Sequence, residues 1–313
     1  MSYQSQERKR LVEYARKTWQ VEGHILPYEV AAETLHESVR ETALAYFNRH
    51  KIKWWTSRWD VGRPRLQGGV VSLPTGHLNS SQVACVNHLE PARVDRDLAR
   101  HVVHNVGETF VDARPVEDGG FVAYEWIGKG NYLGEPGARL RGANITSLDG
   151  LMCAERGDGT RVLIVIEWKY LESYGPESVA TSKHGTNRVA TYQRLLQDPG
   201  CPIRRGDHKR LFFEPYYQLM RQTLLAWQMV EHAEHGANAW LHVHVVPELN
   251  VTLRGGGRGA KELVGETMAE KWRSVLKQPE RYLVITPMEL LAGIGAGGRW
   301  SGWRQWLHSR YLT

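Results

Sequence analysis

The stretch RVLIVIEWKY (residues 161–170) runs through five apolar residues and ends on Glu167 and Lys169. In a β-strand, side chains alternate between faces, so these two share one face and Trp168 takes the other. The apolar run on both faces predicts a central strand, and ionisable groups at the end of such a strand need partners or a task. The preceding stretch, ITSLDGLMCA, carries Asp149, and ERGDGT joins the two with the Gly-Asp-Gly chemistry of a tight hairpin. That hairpin sets Asp149 beside Glu167. Two neighbouring carboxylates repel unless a cation lies between them, and hard oxygen donors suit Mg²⁺, with Mn²⁺ as a substitute. Such an ion polarises a phosphoryl group and activates a water, while Lys169 orients or deprotonates that water and offsets developing charge.

The Glu-x-Lys spacing alone carries little weight, because Glu7-Arg8-Lys9 repeats it on a polar helical segment. The same Asp, Glu and Lys would also serve as ordinary ion pairs of a surface hairpin, and the residues by themselves leave both readings open. His242 and His244 alternate with valines on one strand face, a pair able to bind Zn²⁺ or Mn²⁺, although no third ligand is near in sequence and buried, hydrogen-bonded histidines are the simpler reading. Trp54, Trp55 and Trp59 lie among Lys51, Lys53, Arg58, Arg63 and Arg65, a mixture suited to packing or to stacking on unpaired bases beside phosphates; packing is expected for most of the tryptophans. GIGAGG (293–298) follows a predicted helix rather than a strand, and RGGGRG (254–259) lacks a following Lys-Ser or Lys-Thr, so neither is a nucleotide loop.

Helical periodicity predicts helices over 6–20, 28–51, 80–104, 182–197 and 216–235, with Ser80 or Ser81 as a cap, and another through RWSGWRQWLHSRYL. Strands are predicted at FVAYEWI, at the two hairpin segments, at AWLHVHVV and at RYLVITP. Helix, three strands, helix, strand is an α/β pattern. The expected organisation is a helical region over 1–60 packed on a core over 61–250, with an extension over 251–313. The 313 residues are 42% hydrophobic with a formal charge of +6, enough for a sizeable core and mildly suited to a polyanionic partner. Three dispersed cysteines form no CxxC pair, and no apolar run approaches the ~20 residues of a membrane helix, which predicts a cytoplasmic protein.

The segments RGANITSLDGLM and IEWKYLESYG resemble the PD-(D/E)XK nuclease superfamily, within it a group of bacterial restriction endonucleases with an SLD strand followed by an EWKY strand. Leu148 stands where the superfamily name has proline. SSQVACVN resembles the first core helix, EPYYQLMRQTLLA the second, and LGE ends at Glu135; the similarity spans residues 51–247. The resemblance implies an αβββαβ core, a central mixed sheet flanked by helices, with added N- and C-terminal helices. It further implies that Asp149, Glu167 and the Trp168 carbonyl bind metal and that Lys169 serves the water. Gln218, with Arg221 or Gln222, is expected near the site, and Gln82 and Glu135 at its margin. Arg58, Arg65, Arg141 and Arg221 are the expected nucleic-acid contacts. The function implied is a Mg²⁺-dependent DNA endonuclease with a restriction or anti-phage role, with double-stranded DNA as the expected partner, and a homodimer if it cuts both strands of the duplex. Two alternatives stand beside it: a nuclease-like module that binds nucleic acid or a partner without cutting, and a hydrolase built on His242 and His244.

Overall fold

A computed structural model describes residues 2–19, 34–56, 73–107, 109–143, 145–182, 185–256, 261–294 and 298–311. In chain order the elements are α1 (Tyr3–Trp19), α2 (Glu37–Arg49), α3 (Ser81–Val94), α4 (Arg96–Val106), β1 (Phe110–Arg114), β2 (Ala123–Trp126), β3 (Leu148–Arg156) and β4 (Arg161–Trp168). There follow α5 (Arg188–Gln197), α6 (Tyr216–Glu231), β5 (Ala239–Val245), α7 (Val251–Arg254), α8 (Met268–Val275), β6 (Tyr282–Ile285), α9 (Pro287–Leu290) and α10 (Ser301–Tyr311).

The predicted hairpin forms: β3 and β4 pair antiparallel from Gly150↔Ile166 to Glu155↔Arg161. Gly159 closes the turn at φ +80, a backbone region that disfavours residues with a Cβ. Parallel pairing of β4 with β5, and of β5 with β6, extends the sheet on one side. On the other side β1 and β2 pair antiparallel with opposite halves of β3, completing six strands in the order β1-β3-β4-β5-β6 with β2 on the β1 side of β3. With β3 and β5 on its two edges, β4 is central, which is why its apolar residues face cores on both sides. Ile164, Ile166 and Trp168 pack towards α2, α3, α4 and α10, whereas Leu163 and Val165 pack towards α5, α6 and α8. The result is a mixed sheet between two helical layers.

Several boundaries differ from expectation. The single helix predicted over 80–104 is broken at Asp95, whose amide donates to the Pro91 carbonyl and whose carboxylate accepts from the Asp97 and Leu98 amides. One residue thereby ends α3 and starts α4, and the apolar periodicity continues across the break because both helices face the same core. The helix predicted from 182 begins at Arg188, capped by Asn187. The helix predicted to 235 stops at Glu231, and the one predicted from 28 starts at Glu37, residues 20–33 lying outside those described. The strand β1 was not anticipated. With α4 and β1 before β2, and α5 before α6, the element order is longer than αβββαβ.

The first and last helices belong to the same core as α3. Arg10 on α1 donates to the carbonyls of Ser309 and Arg310 at 3.1 and 2.6 Å, and the Tyr170 hydroxyl donates to Glu7 at 2.5 Å. Asn87 on α3 donates to the Tyr311 hydroxyl at 2.9 Å. Among the described residues no helix is long and apolar enough to cross a membrane.

Candidate active site

The hairpin register sets Asp149 and Glu167 one step beyond the Gly150↔Ile166 pair, opposite one another at the open end of β3 and β4. Asp149 Oδ2 accepts the Trp168 amide at 2.7 Å, fixing the two strand ends together. A β-carbon on Gly150 would lie 3.2 Å from Leu89, so glycine at this position lets α3 pack closely under Asp149. Beyond the strand, Lys169 donates its amide to the Val245 carbonyl at 2.9 Å, and β5 thus fixes its backbone.

The side chains of Glu167 and Lys169 form an ion pair in which the carboxylate is 1% and the ammonium side chain 8% exposed. Helix α6 supplies their other partners. Gln222 Nε2 donates to Glu167 Oε2 and, at 3.1 Å, to the Ser147 carbonyl, while Gln218 Oε1 accepts from Lys169 Nζ at 2.8 Å. Positions 218 and 222 are one turn apart on one face of α6. A buried ion pair of this kind persists only with support from further hydrogen bonds, which these glutamines supply.

A third carboxylate, not anticipated from the sequence, joins them. Tyr124↔Gly150 and Trp126↔Leu148 bracket Glu125, placing it across from Asp149. Glu125 has φ +48, an unfavourable backbone for a residue with a side chain, here sustained in mid-strand. Its oxygens accept from Gln82 Nε2 and Ser147 Oγ, each at 2.7 Å. Within FVAYEWI the glutamate was visible as a polar residue among apolar ones; what singles it out is the β2–β3 register, set across about twenty intervening residues rather than across a short turn.

Asp149, Glu125 and Lys169 open onto one cleft of about 570 Å³, shared with Gln82, Gln218 and Trp55. The electrostatics are strained in one direction. Burial pushes the Asp149 carboxyl well above its usual range, and the charges of Glu167 and Glu125 add to the effect. Glu125 is raised by burial and by Glu167, against the hydrogen bonds of Ser147 and Gln82. For Lys169 burial works to lower the pKa, but Glu167 foremost, then Tyr174, Glu172 and Asp149, outweigh it and keep the ammonium charged. An excess of buried negative charge in hard oxygen donors matches a divalent cation such as Mg²⁺. Among the described residues no group of three His, Cys, Asp or Glu side chains is already arranged to hold a metal ion. Glu167 faces Lys169 and Gln222 instead.

Of the other predicted residues, Gln82, Gln218 and Gln222 come together with the three acidic residues and Lys169. Glu135 is elsewhere, accepting from the Thr146 amide at 2.8 Å and from the Tyr192 hydroxyl at 2.5 Å, and so ties the segment before β3 to α5. Arg221 donates to Thr146 Oγ1 at 3.2 Å with its guanidinium 4.6 Å from the Tyr217 ring centre. Arg141 spends its guanidinium on Glu117 at 2.8 Å, the Tyr46 hydroxyl at 2.6 Å and the Tyr124 carbonyl. With its side chain 11% exposed, it acts as an internal tie rather than as the expected nucleic-acid contact. Arg58 and Arg65 lie outside the described residues, as does Trp59. His242 and His244 are fully buried on β5, their Nδ1 atoms paired with Thr223 Oγ1 at 3.1 Å and the Tyr282 hydroxyl at 2.9 Å. Burial holds both imidazoles below their ordinary pKa, His242 at about 3.

A central mixed sheet flanked by helical layers is consistent with a restriction-endonuclease-like fold. The chain belongs to the family described as restriction endonuclease associating with ARP, whose model matches residues 3–312. Comparison with curated proteins and with solved structures gave no match. Family membership makes the function nuclease-like.

Proposed function

We propose that the protein is a Mg²⁺-dependent endonuclease that hydrolyses phosphodiester bonds of DNA, with a restriction or anti-phage role. The observation that carries this reading is the buried Glu167–Lys169 pair beside Asp149 at the rim of a cleft, on the central hairpin of a restriction-endonuclease-like family member. Asp149 and Glu167, with the Trp168 carbonyl, would hold the ion, and Glu125 adds a fourth oxygen donor at the same margin. When bound, the ion would polarise the phosphoryl group and lower the pKa of water.

The protein's own groups account for the rest. Asp149 is positioned through the Trp168 amide, so its carboxylate is in place before substrate arrives. An ammonium has three donors; Glu167 and Gln218 take two of those of Lys169 and leave one for a water or a phosphate oxygen in the cleft. Its persistent positive charge offsets the charge that builds up on the phosphoryl oxygens. Gln222 keeps Glu167 oriented and prevents it from collapsing wholly onto Lys169.

The test is incubation of the purified protein with plasmid, linear and single-stranded DNA in Mg²⁺ and in EDTA, alongside Lys169→Gln. Cleavage that requires Mg²⁺ and disappears in the variant, with DNA binding retained, supports the proposal; cleavage by the variant at the wild-type rate refutes it. The non-cutting alternative expects DNA binding without metal uptake. DNA binding with no Mg²⁺ or Mn²⁺ uptake by calorimetry would decide for that reading.

A further inference from the structure

The adjacent tryptophans predicted to pack meet opposite fates. Trp54 is 3% exposed and stacks on Phe47, with ring centres 3.7 Å apart and planes 9° apart. Trp55 is 48% exposed, and among the described residues it is the one tryptophan, tyrosine or phenylalanine left exposed. It borders the cleft that contains Asp149, Glu125 and Lys169.

Trp55 is held in place rather than left on a loose loop. The Lys53 amide donates to the Arg141 carbonyl at 3.0 Å, and Gln82 Nε2 donates to the Lys53 carbonyl at 3.1 Å. Gln82 Oε1 accepts the Trp55 amide at 2.7 Å, and the same side chain holds Glu125. The indole also makes an edge-to-face contact with His77, ring centres 5.3 Å apart at 82°. One glutamine therefore couples the position of an exposed aromatic ring to that of an acidic residue in the cleft.

Resting on the nuclease reading, we propose that Trp55 is a stacking platform for one unpaired nucleobase next to the phosphate addressed by Asp149 and Lys169. Its preferred substrate is accordingly DNA with a base outside its stack. In an intact duplex the base faces are covered by their neighbours, and an indole meets one only where the base is extrahelical or single-stranded. A cleft of about 570 Å³ has room for a nucleotide-sized group beside Trp55. Trp55 is in this sense a positioning residue, acting on the base and not on the reacting phosphate.

The experiment uses the full-length protein without divalent ions, so that hydrolysis is absent, and fluorescence anisotropy on three DNAs: a fully paired duplex, the same duplex with one unpaired base, and that duplex with an abasic residue at the unpaired position. The unpaired base is 2-aminopurine in a parallel series, its emission quenched when it stacks. Wild type should bind the unpaired-base duplex more tightly than the other two and quench 2-aminopurine. Trp55→Ala should weaken binding to the unpaired-base duplex by about 10-fold or more and abolish quenching, with little change on the abasic duplex, and Trp55→Phe should restore most of both. Wild-type binding and quenching in Trp55→Ala overturns the stacking role, as does an equal loss on all three DNAs. Those outcomes leave the nuclease reading intact, whereas failure of the wild-type protein to bind any of the DNAs, without divalent ions and with Mg²⁺ alike, removes both.

Discussion

Asp149→Asn separates function from stability at the site. The amide oxygen can still accept the Trp168 amide, which lies 2.7 Å from the native carboxylate, so the hairpin geometry is kept while one of three crowded negative charges is removed. In the wild type the folded-state pKa of Asp149 is raised, by burial first and then by Glu167 and Glu125. The folded protein thus binds this proton more tightly than the unfolded chain, whose carboxyl titrates near 4. The penalty for ionising Asp149 is absent below about pH 4 and grows as the pH rises towards the folded value. A buried carboxylate facing like charges costs on the order of 1–3 kcal/mol beyond what its hydrogen bonds return. The variant should therefore melt about 2–8 °C above the metal-free wild type at pH 8. Its advantage should shrink as the pH is lowered towards 4. The assay is scanning calorimetry in EDTA at pH 8, 6.5 and 5, repeated with Mg²⁺. Saturation at 100 times the dissociation constant adds about 2.7 kcal/mol to the wild type, and the variant should gain little of it. An Asp149→Asn protein that melts below wild type at pH 8, or whose advantage does not vary with pH, refutes the electrostatic account of the site.

Arg141→Ala should destabilise the fold by about 1–3 kcal/mol, because it takes the guanidinium from the Tyr124 carbonyl and leaves Glu117 with Tyr46 and His50 alone in a mostly buried setting. The salt dependence of DNA binding should not change; a shallower salt slope in the variant would show that the guanidinium contacts phosphate after all. His242→Ala should retain cleavage within a few-fold and lose about 1–3 kcal/mol of stability through the cavity and the lost Thr223 contact. Loss of metal uptake by that variant, measured by calorimetry, would revive the histidine-based reading.

What was legible in the sequence came from local pattern. The apolar run 162–166 identified the central strand, and the Gly-Asp-Gly turn identified its hairpin partner, so that the opposition of Asp149 and Glu167 followed from pairing across a short turn. Gln218 and Gln222 came from the family resemblance, which implies a polar residue on the helix after the third strand; the helical period then puts the two on one face. Glu125 was not, since its placement depends on a register between strands separated by a long irregular segment and on a left-handed backbone at one residue. The break at Asp95 escaped for another reason: burial of one face by both α3 and α4 preserves the period that a helix boundary ought to interrupt. Arg141 illustrates the limit of charge as evidence, because a guanidinium on a basic protein looks the same in sequence whether it faces phosphate or Glu117. The short strand β1 alternates too briefly to stand out from a loop.

The joining of the first helix to the last bears on when the protein becomes competent. Arg10 fastens α1 to the carbonyls of Ser309 and Arg310, α1 reaches Tyr170 beside Lys169 through Glu7, and Tyr311 contacts Asn87 on the helix that underlies Asp149. A nascent chain that has not yet released residue 311 from the ribosome lacks this brace, although Asp149, Glu167 and Lys169 emerged long before. Cleft assembly is thus coupled to the synthesis of α10, and a chain arrested or clipped ahead of it carries all the acidic residues and Lys169 without the support that sets them in place.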